Sequence, residues 1–456
     1  MISSERTVID MAGGTWTDQN KVRPGVYIRF RTGSNAGLTV GERGVVTICE
    51  PLSWGPVGEV MTIESGANMV PFTGYDITHE KNRFLREIFR GTNRTSAPTL
   101  LYLYRPTAAS SAKATVTTGV LTATAKYVGA RGNDITIVVT EDADSEADEF
   151  YVSTVVGGEI VDQQHAAVVA DLVANDWVDW SGTGALTATV GAPLIGGADG
   201  TVAASAYSTY LEAIEPYKFD VIIYDGTDST VQDAMVGFVN RLADENGQYT
   251  QLVAANLTNP DSRFVINVMS GVTLADGTVL TPQQVTWWAG GATAGAAYNE
   301  SLTYATYPTA VAVSPLLTNN QTITALSAGQ FILVADFDEV HVEQDINSLV
   351  TYTTDIGEVY HKNRVIRLCN TIANDIYQQF SQNYIGIVNN NEAGRARFQA
   401  AIVGYLLQIQ ANEGIQNFSA DDVEVLPGND IDSIVVNVAI QVVDSVEKIY
   451  MTVTVS

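Results

Sequence analysis

Apolar and polar positions first fall into register at Val26, Ile28 and Phe30, which alternate with Tyr27, Arg29 and Arg31 after a Pro24-Gly25 turn; this period of two predicts a strand. Residues 1–20 carry no period and predict an extended arm. Between 77 and 90 the spacing becomes helical, with Phe84, Leu85, Ile88 and Phe89 on one face and Gly91 placed as a C-cap. Leu100 to Arg105 (LLYLYR) reads as a short buried strand.

From about 108 to 200 the texture shifts to Ala, Thr, Gly and Val in short alternating runs, such as 114–125 and 135–139, broken by Gly-Gly at 157–158 and 196–197. Short strands with glycine turns predict a separate β-sandwich. From about 205 to 335 strands alternate with helices. Phe219 to Tyr224 leads through Asp225-Gly226 into a helix carrying Val231, Met235, Phe238 and Leu242, and further strands are expected near 251–255 and 264–268. That order implies parallel strands joined by right-handed crossovers. The last hundred residues predict two helices, one striped by Val365, Leu368, Ile372, Ile376 and Phe380, the other by Phe398, Ile402, Tyr405 and Ile409. Two alternating strands follow, with Ile434, Val436, Val438, Ile440 and Val442 on one face of the first. Ile449, Met451, Val453 and Val455 line one face of the second, with Asp444-Ser445 as the turn between them.

The expected fold class is therefore a multidomain α+β and α/β chain. A central α/β domain with a parallel sheet carries an inserted β-sandwich and a C-terminal α+β domain with extended terminal strands. Segments are expected at 1–20 (arm), 21–107, 108–200, 201–340 and 341–456.

Charge narrows the partners. The 456 residues carry 24 Lys and Arg against 51 Asp and Glu, a formal net charge of −27. Such a chain repels nucleic acid and anionic membranes at long range, and no run approaches the ~18 apolar residues of a membrane helix. The imbalance is local: residues 1–105 hold 12 cations and 10 acids, residues 106–215 only 3 and 15. Cys49 and Cys369 have no metal or redox spacing and are expected as free buried thiols. The charged start, MISSERTVID, lacks the apolar core of a signal peptide, so synthesis and retention in the cytoplasm are expected.

No catalytic motif emerges. Asp225, Thr227 and Asp228 follow a central strand, where α/β sheets often bind ligands, but no phosphate loop or nucleophile elbow is present. A helix cap from Asp228, Ser229 or Thr230 accounts for them. His79, His165, His341 and His361 fall in separate segments. The acidic run Glu141, Asp142, Asp144, Glu146, Asp148, Glu149 resembles a calcium loop but lacks its glycine, and Ser153 stands at the bidentate acid position, so a solvated loop is expected. No enzyme, cofactor or metal is expected.

Lys81, Arg83, Arg86 and Arg90, with Arg94, suit either a solvated face or pairing with an acidic neighbouring subunit. Arg395 and Arg397 oppose the macrodipole in the first turns of a helix; Glu392 offsets Arg395, or an external acidic surface uses both.

The order of several segments resembles the contractile phage tail sheath family, particularly that of Gram-positive phages and phage-tail-like particles. These are RPGVYIRF from Arg23, AKYVGARGND from Ala125, VEQDINSLVTYTTD from Val342, KNRVIR from Lys362, and GIQNF from Gly414. Residues 286–310 depart from the family pattern, lacking its basic residues. The resemblance implies a non-enzymatic structural subunit, polymerised as stacked hexameric rings around a tail tube and contracting to drive that tube through an envelope. It implies a tail tube protein, baseplate and tail terminator proteins as partners, and a final place in a virion tail or released particle. It also makes Arg395 and Arg397 tube-contact candidates, and Ile449, Met451, Val453 and Val455 intersubunit strand candidates beside residues 1–20. The residues alone leave open an acidic surface-layer or adhesin protein, or a hydrolase on the central domain.

Overall fold

The computed structural model describes residues 13–14, 26–27, 40–41, 43–143 and 148–455. The expected arm and first strand lie outside these, apart from Gly13–Gly14, which pairs in parallel with Val26–Tyr27.

A seven-stranded sheet organises the centre. Its strands are β1 (Val45–Cys49), β2 (Val60–Glu64), β3 (Leu100–Tyr104), β4 (Val221–Tyr224), β5 (Gln251–Ala255), β6 (Val265–Val268) and β7 (Gln330–Phe331), in the order β7-β6-β5-β4-β1-β3-β2. All neighbours run parallel except β2 against β3. Every residue of β4, β5 and β6 is buried, as a sheet covered on both faces requires. Alternate residues feed opposite layers. Val221 and Ile223 enter the core under one set of helices, Ile222 and Tyr224 the core on the other side.

Five α-helices complete what positions the surfaces discussed below, with a sixth near the C-terminus. The first, α1 (Arg83–Ile88), is shorter than the expected 77–90. The Asp76 carboxylate accepts from the backbone and hydroxyl of Thr78, and His79 is extended, so this turn holds the chain out of helix until a 3-10 turn at Glu80–Asn82. Helices α2 (Ala204–Ile214) and α3 (Ser229–Arg241) cover one face of the sheet, α3 being capped by Asp228 as expected. Helix α4 (Pro282–Gly295) covers the other and falls in the Gly/Ala/Trp segment for which the sequence offered no element. Its glycines permit contact. A Cβ on Gly291 would lie 2.0 Å from the Ile88 carbonyl oxygen, and one on Gly290 2.4 Å from Ile223 Cγ1.

The β-sandwich packs a four-stranded sheet, containing Ile135–Glu141 and Phe150–Val156, on a three-stranded one containing Leu121–Ala125. Leu121, Ala123 and Ala125 alternate inward to meet Ile135, Ile137 and Val139. Trp54, from the central chain, packs tilted against Trp177 with ring centroids 4.8 Å apart and edges onto Tyr127, and Arg105 donates to the carbonyls of Gly55 and Val128, fixing the sandwich to its neighbour.

Beyond the hairpin β8 (Leu333–Asp336) and β9 (Glu339–Val342), helices α5 (Asn363–Asn383) and α6 (Glu392–Ala411) form an antiparallel pair. Phe398, Ile402, Tyr405 and Ile409 of α6 are buried, on the stripe the periodicity predicts. Four short strands follow: β10 (Ile415–Gln416), β11 (Val423–Pro427), β12 (Ile434–Val438) and β13 (Gln441–Val442). The expected terminal hairpin is not formed. Its first strand is split between two ladders, β12 with β11 and β13 with β10, because Ala439 N–H donates to Asp422 O and Val443 N–H to Gly414 O, carrying the chain across. The expected second strand, 449–455, belongs to no ladder among the described residues.

Candidate functional site

The polar run at 343–347 is a buried joint. Ile346 is in the apolar interior, which turns Asp345 and Asn347 toward the start of α5. Asp345 pairs with Arg367, and both are almost fully buried. The carboxylate also accepts from Leu302 N–H (2.9 Å) and Asn363 Nδ2 (2.9 Å), while Arg367 donates to Glu300 O (2.8 Å). Asn347 Nδ2 donates to Tyr360 O, and Gln251 Nε2 of the central sheet donates to Asn363 Oδ1. Two segments that stand out in the sequence, EQDIN and KNRVIR, are therefore one network joining the central sheet to α5.

The same network fixes where the C-terminal segment leaves the body. Glu447 accepts from Thr303 Oγ1 (2.9 Å) and Gln344 Nε2 (2.8 Å) and pairs with Lys362. Burial works to raise its pKa, but the hydrogen bonds from Lys362, Gln344 and Thr303 and the lysine charge outweigh it, holding the carboxyl below its ordinary range. Past this anchor Ile449, Tyr450, Met451, Val453 and Val455 are all exposed, by 74–91%. A run of large apolar side chains outside any ladder among the described residues is costly to leave in solvent.

The connection from α5 to α6 carries a second exposed feature. Ile385 and Ile387 project into solvent, and α6 begins at an Asn391 cap whose side chain accepts from Gly394 N–H. Arg397 is exposed, and Arg395 is half-buried with Nη1 donating to Asn390 Oδ1 at 3.1 Å. The isoleucines were missed in the sequence because they sit outside the helical stripe; two apolar residues flanking a glycine before three asparagines were the available signal.

The basic cluster near α1 is used within the chain. Arg83 pairs with Glu80 and Asp276, Arg86 reaches Glu80 and the carbonyls of Ile77 and His79, and Arg90 forks onto buried Glu87. Arg94 donates to Thr303 O, and Lys81 is exposed.

At the carboxyl ends of β1 and β4, where strand order reverses, Glu50 and Asp225 share a hydrogen bond. Burial and the neighbouring carboxylate raise the Glu50 pKa well above its usual range, and burial raises that of Asp225, whose Oδ2 accepts from Trp287 Nε1 (2.8 Å). A single proton shared between the two carboxyls would hold the strand ends together. Because the folded-state pKa of Glu50 is raised, its contribution is complete below the ordinary carboxylate pKa and is lost as pH rises through the folded value. The melting temperature is expected to fall toward alkaline pH, and Glu50→Gln to flatten that fall; parallel pH profiles for the two proteins would refute the shared proton.

His165 is the one histidine gathered into an acidic group, 3.0 Å from Asp142 and 3.5 Å from Glu149 of the acidic run. The three could hold a cation geometrically, and the imidazole already lies within hydrogen-bond distance of Asp142. Cys49 is buried and Cys369 half-buried, both free, so the expectation of two buried thiols is met in full only at Cys49. No described helix is long and apolar enough to cross a membrane.

The described residues thus present an anchored terminal segment of exposed apolar side chains that joins no ladder among them. Family models match residues 107–199 as the phage tail sheath protein beta-sandwich domain, 200–348 as its central domain and 355–456 as the phage tail sheath C-terminal domain. The chain belongs to the phage tail sheath protein family, and its role is that of a structural subunit of a tail sheath. It is 33% identical to the Phage-like element PBSX protein XkdK of Bacillus subtilis over 98% of this chain and 100% of that protein. A sheath tail protein from Desulfitobacterium hafniense is 44% identical, with a TM-score of 0.85 over 94% of this chain and 99% of that one. The sheath tail protein Lin1278 of Listeria innocua is 31% identical, TM-score 0.76, over 91% and 96%. At 14% identity the fold is shared with the contracted helical sheath of the anti-feeding prophage, TM-score 0.57 over 95% and 99%.

Proposed function

We propose that this chain polymerises as stacked hexameric rings around a tail tube and contracts to drive the tube through a target envelope, without catalytic activity of its own. The observation that carries this reading is the segment after Glu447, exposed in the single chain and alternating in apolar residues. The two-stranded ladders of the C-terminal unit have open edges among the described residues, and a strand from a neighbour can extend either one by backbone pairing. Residues 1–20 serve as the second linking arm. Contraction is a shift from one packing of subunits to another with more extensive contacts, its energy stored at assembly, so no nucleotide is consumed.

Arg395 and Arg397, with Ile385 and Ile387 beside them, form the surface that faces the tube, and Lys81 remains available to a neighbouring subunit. Baseplate and tail terminator proteins close the two ends of the polymer. Assembly takes place in the host cytoplasm, before the particle is released.

Negative-stain electron microscopy of the purified chain, concentrated alone, tests the reading. Hollow striated tubes or six-fold rings are expected; monomers that persist even with a matching tube would refute it. Arg395→Glu/Arg397→Glu is expected to abolish co-sedimentation with the tube while tube-free assembly continues. Retained co-sedimentation would remove both arginines from the tube contact.

A further inference from the structure

The turn between β8 and β9 places a phenylalanine where the chain gains nothing from it. Phe337 and Asp338 both have positive φ, 50° and 63°, in a two-residue turn that asparagine and glycine fill with less strain. Phe337 is 90% exposed. It is ringed by exposed Asp336, Asp338 and Glu339, and the chain has no Lys or Arg from 264 to 361. A strained, solvated aromatic on an acidic tip has the character of an interface anchor: one large apolar side chain that requires a recess with a cationic rim.

The chain offers such a recess. Beside the joint of the sandwich and the central unit, Pro56, Val57, Tyr127 and Val128 line an open depression of about 500 Å³. Lys113 and Lys126 also line it, two of only three cations between residues 106 and 215, together with one acid, Glu59. Lys113 lies 3.7 Å from Asp179 and Lys126 3.6 Å from Asp176, loose and solvent-exposed pairs that exchange for other carboxylates at little cost.

We propose that the Phe337 tip of one subunit inserts into the Pro56–Val57–Tyr127–Val128 recess of a second copy, its acids meeting Lys113 and Lys126. Tip and recess are different surfaces, so the contact is head-to-tail, the kind that builds rings or helices rather than closed dimers. It rests on the sheath reading for its setting but uses neither terminal arm. It therefore supplies a side-to-side contact that the arms do not.

The test is assembly of full-length chains at matched concentration, followed by sedimentation and electron microscopy, with thermal melts to confirm folding. Phe337→Ala, and separately Lys113→Glu/Lys126→Glu, are expected to raise the concentration needed for assembly at least ~10-fold while melting is unchanged. Adding Asp338→Lys/Glu339→Lys to the lysine reversals is expected to restore assembly, which no general loss of solubility or stability would do. Variants that assemble like the unaltered chain would overturn the docking and leave the sheath reading standing. If the unaltered chain forms no polymer, the sheath reading falls, and the contact is then read by crosslinking Asp338→Cys to Lys113→Cys in a Cys369→Ser background with a short thiol-reactive reagent. A crosslinked multimer supports the docking, and its absence overturns it.

Discussion

Removal of residues 448–456 is expected to leave a monomer that melts like the full chain but forms no ordered polymer. The described part of the segment contributes little to the single molecule: Ile449, Tyr450, Met451, Val453 and Val455 are exposed and no ladder includes them. Among the described residues the last one bonded to the body through its side chain is Glu447, which the truncation keeps with its bonds to Thr303, Gln344 and Lys362. In a polymer the balance reverses. Four alternating apolar side chains entering a neighbour's core, as proposed, at roughly 1.5–3 kcal/mol for each one fully buried, would give an intersubunit gain far larger than anything the deletion costs within the chain. Sedimentation and electron microscopy read the polymer, and calorimetry reads the fold. Ordered tubes from the truncated chain would remove the arm from subunit linkage, whereas a large fall in melting temperature would show that it belongs to the intramolecular fold.

How much of this was legible in the sequence depends on which physical signal each part carries. The strand β4 and helix α3 were readable because both are bounded by turn chemistry, and Asp228 caps where capping logic places it. Helix α4 was not. From Val285 to Ala294 all ten residues are buried, so no polar face exists to reveal a period of 3.6. Its local signal was the start, where Thr281 and Gln284 form a capping box around Pro282. At the C-terminus the alternation of apolar residues was visible, but alternation does not name a partner. Ile434–Val442 read as one strand because the change of ladder at Ala439 is made by backbone bonds to Asp422 and Gly414, which leave no trace in side-chain pattern.

Sites made by juxtaposition were the least legible. Glu50 and Asp225 are far apart in the chain and meet only because β1 and β4 are parallel neighbours. The arginines near α1 looked like an outward basic face because their acidic partners, Glu80, Glu87 and Asp276, become neighbours only through the helix and a distant loop. The polar run at 343–347 was conspicuous for the opposite reason: ordered polar residues amid apolar ones are retained where a buried network needs them.

That network yields the other large effect. Asp345→Ala is expected to cost roughly 3–5 kcal/mol, because it removes one member of a buried ion pair and leaves the other uncompensated. Arg367 has no alternative. Its Nε and Nη1 are already buried without a partner, so after the substitution the guanidinium retains only Glu300 O among its bonds. Leu302 N–H and Asn363 Nδ2 lose their acceptor in the same change. Loss should concentrate where the network runs, so hydrogen exchange should accelerate in β5, the segment around 300–302 that follows α4 and the first turns of α5, while the sandwich, with its separate core, keeps its protection. Urea unfolding that matches the unaltered chain would show that the pair is dispensable. The location of this stability matters for a sheath subunit. Under the proposed linkage, force on the terminal segment would enter the body at Glu447, which bonds to Lys362 and Gln344, and would cross to the sheet through Asp345, Asn363 and Gln251. A buried joint of this kind would resist separation of α5 from the sheet, so that the sliding proposed for contraction would fall between subunits and not within one.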